Sequence, residues 1–144
     1  MMKIRFKKVS GMKIGDIFVE ISAREYNQQV QKLEVKLQEP NDINIKVDGR
    51  VVKILLKELE SVEVLGDYLK LYPQGLLFRG TLSQFLTRLP LNFIQVSRST
   101  VINLNFLQKV EPALSGNKIA KLYSGQPVSI SRRYWKDVRE RILQ

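Results

Sequence analysis

Residues 93–105 read FIQVSRSTVINLN. Phe93, Ile94 and Val96 precede a short polar corner, and Val101, Ile102 and Leu104 follow it, so the stretch is read as two apolar, β-branched strands meeting at Ser97-Arg98-Ser99. The corner carries one bare cation. A guanidinium offers a planar fork of donors and serine hydroxyls bond phosphate oxygens, which suits Arg98 and its neighbours to an anion. An ordinary solvated loop is the plainer alternative.

Working outward, the chain around this corner is strongly basic. Its 144 residues hold 24 Lys+Arg against 14 Asp+Glu, a formal charge of +10. That surplus favours a polyanionic partner, nucleic acid or an acidic membrane surface. It is also concentrated. From Tyr68 to Lys136 the bases are Lys70, Arg79, Arg88, Arg98, Lys109, Lys118, Lys121, Arg132, Arg133 and Lys136, and Glu111 is the only acid.

No His and no Cys occur. Disulfides, thiolate or imidazole metal sites and Ser-His or Cys-His nucleophilic pairs are therefore absent, and no cofactor or small-molecule substrate is expected. With one carboxylate in the basic half, a paired acid and base is hard to assemble there, and catalysis is the least favoured class. No apolar run approaches the roughly 18 residues of a membrane span, and the first residues lack a signal-peptide core. A cytoplasmic protein is the default expectation.

Before the corner, Asp48-Gly49 joins Ile43–Val47 to Val51–Leu56, and Gly66-Asp67 joins Ser61–Leu65 to Tyr68–Tyr72. Both read as hairpins, because such pairs accept the positive φ of tight turns. Thr81, with Gln84 three residues on, caps a helix whose Leu82, Phe85, Leu86 and Leu89 share a face and which Pro90 ends. After the corner come a strand from Phe106 to Val110, a tip at Ser115–Lys118 and a further pair of strands turning at Ser124-Gly125. Strand after strand with short connections predicts an antiparallel, mainly β domain over residues 41–144.

Residues 1–40 are read as a separate ββα extension. Strands are expected over Met1–Val9 and Asp16–Ile21, from apolar and basic alternation, with a turn between Gly11 and Gly15. A helix is expected over Ala23–Glu39, capped by Ser22 with Glu25, its stripe formed by Tyr26, Val30, Leu33 and Leu37. Pro40 marks the boundary. This extension is a candidate dimerisation or regulatory element.

The last stretch, residues 131–144 (SRRYWKDVRERILQ), is read as a helix capped by Ser131 with Trp135, Val138 and Ile142 facing inward. Arg132 and Arg133 stand in its first turn, where the helix dipole disfavours cations. An anion held among them and the free amides of that turn would account for the placement, and chance placement on a solvated end is the plainer alternative.

Together, VEVLGDYLK (62–70), FRGTLSQFLTRL (78–89), FIQVSRSTVIN (93–103) and PVSISRRY (127–134) resemble the LytTR DNA-binding domain of bacterial transcription regulators. The resemblance covers about Ile43 to Leu143. It implies an elongated, mostly antiparallel β-sandwich of short strands with small helices, whose loops enter successive major grooves of direct-repeat sites in double-stranded DNA. By position it carries the DNA-reading places onto the region of Tyr68 to Lys70, onto Ser97 and Arg98, and onto Arg132 with Arg133 adjacent. Many members have His where this chain has Ser97, a residue that offers only a small hydroxyl. The resemblance further implies repeat-bound homodimers. By analogy with short members that have no receiver domain, which 40 residues could not build, it implies control by a membrane-bound regulator.

Base reading is accordingly expected of Arg98, Ser97 and Arg132, and phosphate or supporting contacts of Tyr68, Lys70, Ser99, Lys118, Lys121 and Arg133. Two other classes stay open. A single-strand or RNA-binding β surface needs exposed aromatics, for which Tyr68, Tyr72 and Tyr123 are the candidates. A protein-interaction module would use the Tyr26–Leu37 stripe.

Overall fold

A computed structural model describes residues 3–13, 17–38 and 41–143. Contacts divide the chain into two units, residues 1–38 and 39–144. Gly15, Asp16, Glu39 and Pro40, on which part of the expected extension rests, lie outside the described residues.

In the first unit the two expected strands do not form. Residues 3–9 and 17–21 have no regular structure, and Ile4, Phe6, Ile17 and Phe18 are each more than three-quarters exposed. Alternation supplies a strand with a face, but pairing groups and cover must come from neighbours, and an isolated pair of strands is marginal in water. Helix α1 (Gln28–Gln38) starts later than Ala23. Its cap is Asn27, whose Oδ1 accepts the Val30 amide at 3.1 Å, in place of Ser22 and Glu25. Val30 and Leu33 are half-buried, whereas Tyr26 and Leu37 are exposed.

The second unit is all antiparallel sheet with two small helices. Strands β1 (Asp42–Val47) and β2 (Arg50–Leu55) form a hairpin turning at Asp48 and Gly49, whose φ values of 51° and 77° are those the Asp-Gly pair predicts. A five-stranded sheet follows, built from β3 (Ser61–Leu65), β4 (Tyr68–Tyr72), β5 (Leu77–Arg79), β6 (Phe93–Ser97) and β7 (Thr100–Asn103), in the spatial order β5-β4-β3-β7-β6. Helix α2 (Leu82–Leu86) lies between β5 and β6 in the chain, and the Thr81 hydroxyl accepts the Gln84 amide as the capping pattern predicts. A three-stranded sheet of β8 (Leu107–Pro112), β9 (Lys118–Leu122) and β10 (Pro127–Ile130) precedes α3 (Arg132–Ile142).

Period-two alternation sends the five-stranded sheet's side chains into two cores. Val62, Leu69, Leu71, Phe78, Phe93 and Val101 join Ile43, Ile45 and Ile54 of the hairpin and Leu82 and Phe85 of α2. Phe78 and Phe85 meet at a ring-centroid distance of 5.1 Å. Ile94, Val96 and Ile102 point the other way, onto Ala120, Ile130 and Val138, with Trp135 packed alongside. Each such side chain, fully buried, contributes about 1.5–3 kcal/mol. Ile142 was expected to face inward with Val138, yet it is 37% exposed in the last helical turn, beyond the reach of this core.

One polar side chain is wholly buried between these layers. Asn103, at the end of β7, donates from Nδ2 to the Leu59 carbonyl (2.9 Å), and its Oδ1 accepts from Asn92 Nδ2 (2.7 Å) and the Asn105 amide (2.9 Å). Both its oxygen and its nitrogen thus have partners, as burial of an amide requires.

Candidate nucleic-acid interface

The corner between β6 and β7 is a two-residue turn, Arg98-Ser99, closed by the Ser97–Thr100 pair. Ser97 Oγ accepts the Ser99 amide (3.3 Å) and lies 3.4 Å from Ser99 Oγ, so the two serines hold the turn while Arg98 projects into solvent. Ser99 is itself tied down, because its carbonyl accepts the Val64 amide of β3 at 2.8 Å. That bond sets the corner beside the β3–β4 tip, Gly66-Asp67.

A bulge connects the corner to the third place. Gln95 pairs with Val101 and Ser97 with Thr100, which leaves Val96 as the extra residue of β6. The Val96 carbonyl accepts the Ser131 amide at 2.9 Å. Arg98 follows Val96 by two residues and Arg132 follows Ser131 by one, so this bond brings the backbones of the two arginines close together, and both residues are exposed.

The start of α3 is held by a residue that its own sequence does not announce. Ser131 occupies the N-cap position but makes no side-chain cap bond. Instead the Arg132 amide donates to Asn117 Oδ1 at 3.0 Å, from the loop between β8 and β9. In that loop Ser115 and Gly116 take the left-handed conformation, with φ of 62° and 78°. A Cβ on Gly116 would lie 3.0 Å from Arg132 Cδ, so the bare glycine backbone gives the arginine stem its bed. Gly116 and Asn117 were legible only as turn formers.

The remaining cations sort by their partners. Arg88 donates to the Asn44 carbonyl (2.6 Å) and Arg141 to the Leu91 carbonyl, which ties both to the scaffold. Lys109 and Lys121 share Glu111, at 3.0 and 3.3 Å, and their ammonium groups hold its carboxyl below the usual glutamate range. Lys70 lies over the Tyr72 ring and Lys118 over Trp135, with centroid distances of 5.1 and 5.6 Å. Tyr72 also donates to Glu63 (2.9 Å), a bond that raises its phenol above the ordinary value. Arg79, Arg98, Arg132 and Arg133 make no ion pair among the described residues.

Tyr68 to Lys70 lies in the strand that the hairpin reading expects: Tyr68 opens β4 and Lys70 lies in mid-strand, because the two-residue turn is complete at Asp67. Lys121 stands three residues along β9 from Lys118, about 10 Å away, and is engaged by Glu111. Lys118 does belong near the helix start, where it pairs with Ile130. Among the described residues, no helix is long and apolar enough to cross a membrane.

The LytTr DNA-binding domain family model matches residues 49–143. A solved structure described as the LytTr DNA-binding domain of a methyl-accepting/DNA response regulator from Bacillus cereus superimposes with a TM-score of 0.61. The two are 18% identical over 70% of this chain and 95% of that one, which establishes a common fold. No curated protein matches the chain. The match spans the two central strands, the Arg98 corner and the start of α3, and on that ground the chain belongs to the LytTR family of DNA-binding domains.

Proposed function

We propose that this protein is a sequence-specific transcription regulator that inserts its loops into successive major grooves of direct-repeat duplex sites. Membership of a DNA-binding family supplies the coarse statement, and the unpaired arginines supply the finer one. The observation that carries it is the Ser131–Val96 bond, which brings the backbones of Arg98 and Arg132 close together, while neither guanidinium makes an ion pair among the described residues.

In this reading Arg98 and Arg132 reach base edges, as bidentate donors to guanine O6 and N7. Ser97, whose oxygen accepts the Ser99 amide and lies 3.4 Å from the Ser99 hydroxyl, offers its hydroxyl beside Arg98 when Ser99 is the donor of that pair. Tyr68, Lys70, Ser99, Lys118, Lys121 and Arg133 serve phosphates or support the readers, and the affinity they add is salt-dependent through counterion release. Residues 1–40 act as a dimerisation or regulatory element, with a second copy or a membrane-bound regulator as partner.

Selection of duplexes from a random pool by the purified full chain tests the proposal. Enrichment of a repeated motif, its copies spaced by about 10 bp or a multiple, is expected. Equal retention of single strands, or no enrichment, would overturn it. A stacking platform for single strands finds little support, because exposed Tyr68 opens β4 of the five-stranded sheet whereas exposed Tyr123 lies in the turn after β9 of the three-stranded one.

A further inference from the structure

Between the β3–β4 tip and the Arg98 corner lies an open groove of about 510 Å³. Arg79 and Arg98 both line it, together with Asp67, Thr81, Ser83 and Gln95. Its walls are fixed by backbone: the Gly80 amide donates to the Asp67 carbonyl (3.3 Å), Tyr68 pairs with Arg79, and the Val64–Ser99 bond holds the corner. The groove is therefore part of the sheet frame.

Its chemistry is that of a small anion site. Two guanidiniums and two hydroxyls are donors, and the Thr81 oxygen, although it accepts from Gln84, keeps its proton to give. Asp67 is the only acid lining the groove, so two guanidiniums against one carboxylate leave a single positive charge. Gly66 and Gly80 line it as well.

We infer that this groove seats one backbone phosphate of the bound duplex, with Arg79 as its principal donor and Ser83 assisting, while Arg98 at the rim reads a base. The inference rests on the duplex reading above and adds to it a contact that fixes register without carrying sequence. Arg79 stands on β5 and Arg98 on the β6–β7 turn, so a phosphate between them would lock the corner's depth in the groove of the DNA.

The experiment uses the full chain and the duplex recovered from the random pool. In salt titrations Arg79→Ala should lower the slope of log affinity against log salt by about one and keep the rank order of sequences. Arg79→Lys should restore the slope. A scan of single methylphosphonates, each removing one phosphate charge, should find one position that weakens wild type at least several-fold and leaves Arg79→Ala unaffected. An unchanged slope with no such position overturns the inference while the duplex reading stands, and so does a change of sequence preference in Arg79→Ala. Replacing chloride by inorganic phosphate at constant ionic strength should not displace DNA from wild type; displacement that Arg79→Ala abolishes would assign the site to the free ion instead. Failure of wild type to select any duplex would remove the underlying reading.

Discussion

The Arg132 amide donates to Asn117 Oδ1 at 3.0 Å, so the first turn of the C-terminal helix is anchored by a side chain 15 residues earlier. This bond decides where the backbone of one of the two arginines proposed to read bases stands. Asn117→Ala should cost about 1 kcal/mol in urea denaturation and weaken specific DNA binding more than nonspecific binding, because Arg132 loses its fixed base. Gly116→Ala should be worse. It forces a side chain into φ of 78° and brings a Cβ to 3.0 Å from Arg132 Cδ. A Gly116→Ala protein with native stability and native specificity would show that this loop does not position the arginine.

Asn103 gives a purely structural prediction. Its side chain is fully buried and holds the Leu59 carbonyl, Asn92 and the Asn105 amide in one network. Asn103→Leu would leave the buried Leu59 carbonyl without its partner, at a cost of about 1–3 kcal/mol, whereas Asn92 and Asn105, which are not buried, can turn to water. The midpoint of chemical denaturation should fall markedly. Any loss of DNA binding should vanish once the comparison is made under conditions where the variant is folded.

Glu111 sets a pH dependence. Lys109 and Lys121 hold its carboxyl below the usual range, so the stabilisation from these pairs is complete above the unfolded-state pKa. It is lost as pH falls through the lower, folded-state value. An NMR titration of the Glu111 carboxyl should give a midpoint below that of an exposed glutamate. Glu111→Gln releases both lysines, and binding to duplex DNA at low salt should strengthen a few-fold with no change in sequence preference. Unchanged affinity would mean that Lys121 contributes nothing to the DNA surface.

Local chemistry was legible wherever it is local. Asp48-Gly49 announced its hairpin through the positive φ both residues adopt, and Thr81 with Gln84 announced α2. The alternation in residues 93–104 fixed the central strands. What the residues could not reveal depended on distant partners. Val96 reads as one more apolar strand residue, and only the register with β7 makes it a bulge whose carbonyl is free for Ser131. Asn117 reads as a turn former until α3 packs beside it. The alternation in residues 3–9 misled for the same reason in reverse, because it describes a strand that has no neighbour in its own unit. Arg98 and Arg132 were both visible as unexplained cations, whereas Arg79 was one base among the ten of the second half until the groove joined it to Arg98.

The two readers can be separated by a double-mutant cycle. If Arg98 and Arg132 each read a base edge in one bound duplex, Arg98→Ala and Arg132→Ala should each cost about 1–3 kcal/mol on the selected sequence. Each should relax preference at a different position of the motif, and random duplex should be affected much less. Sites that touch separate bases share no partner, so the double variant should lose close to the sum, within about 0.5 kcal/mol. Stiffness of the connecting frame enters here. The link from Arg98 to Arg132 runs through the Val96 bulge and the Ser131 amide, and a loosened α3 would let one arginine disengage without loss at the other. Asn117→Ala should therefore abolish most of the effect of a subsequent Arg132→Ala and leave that of Arg98→Ala intact. Equal losses on selected and random duplex for either arginine would reduce that residue to a phosphate contact, and a shared motif position would mean the two act on one base pair.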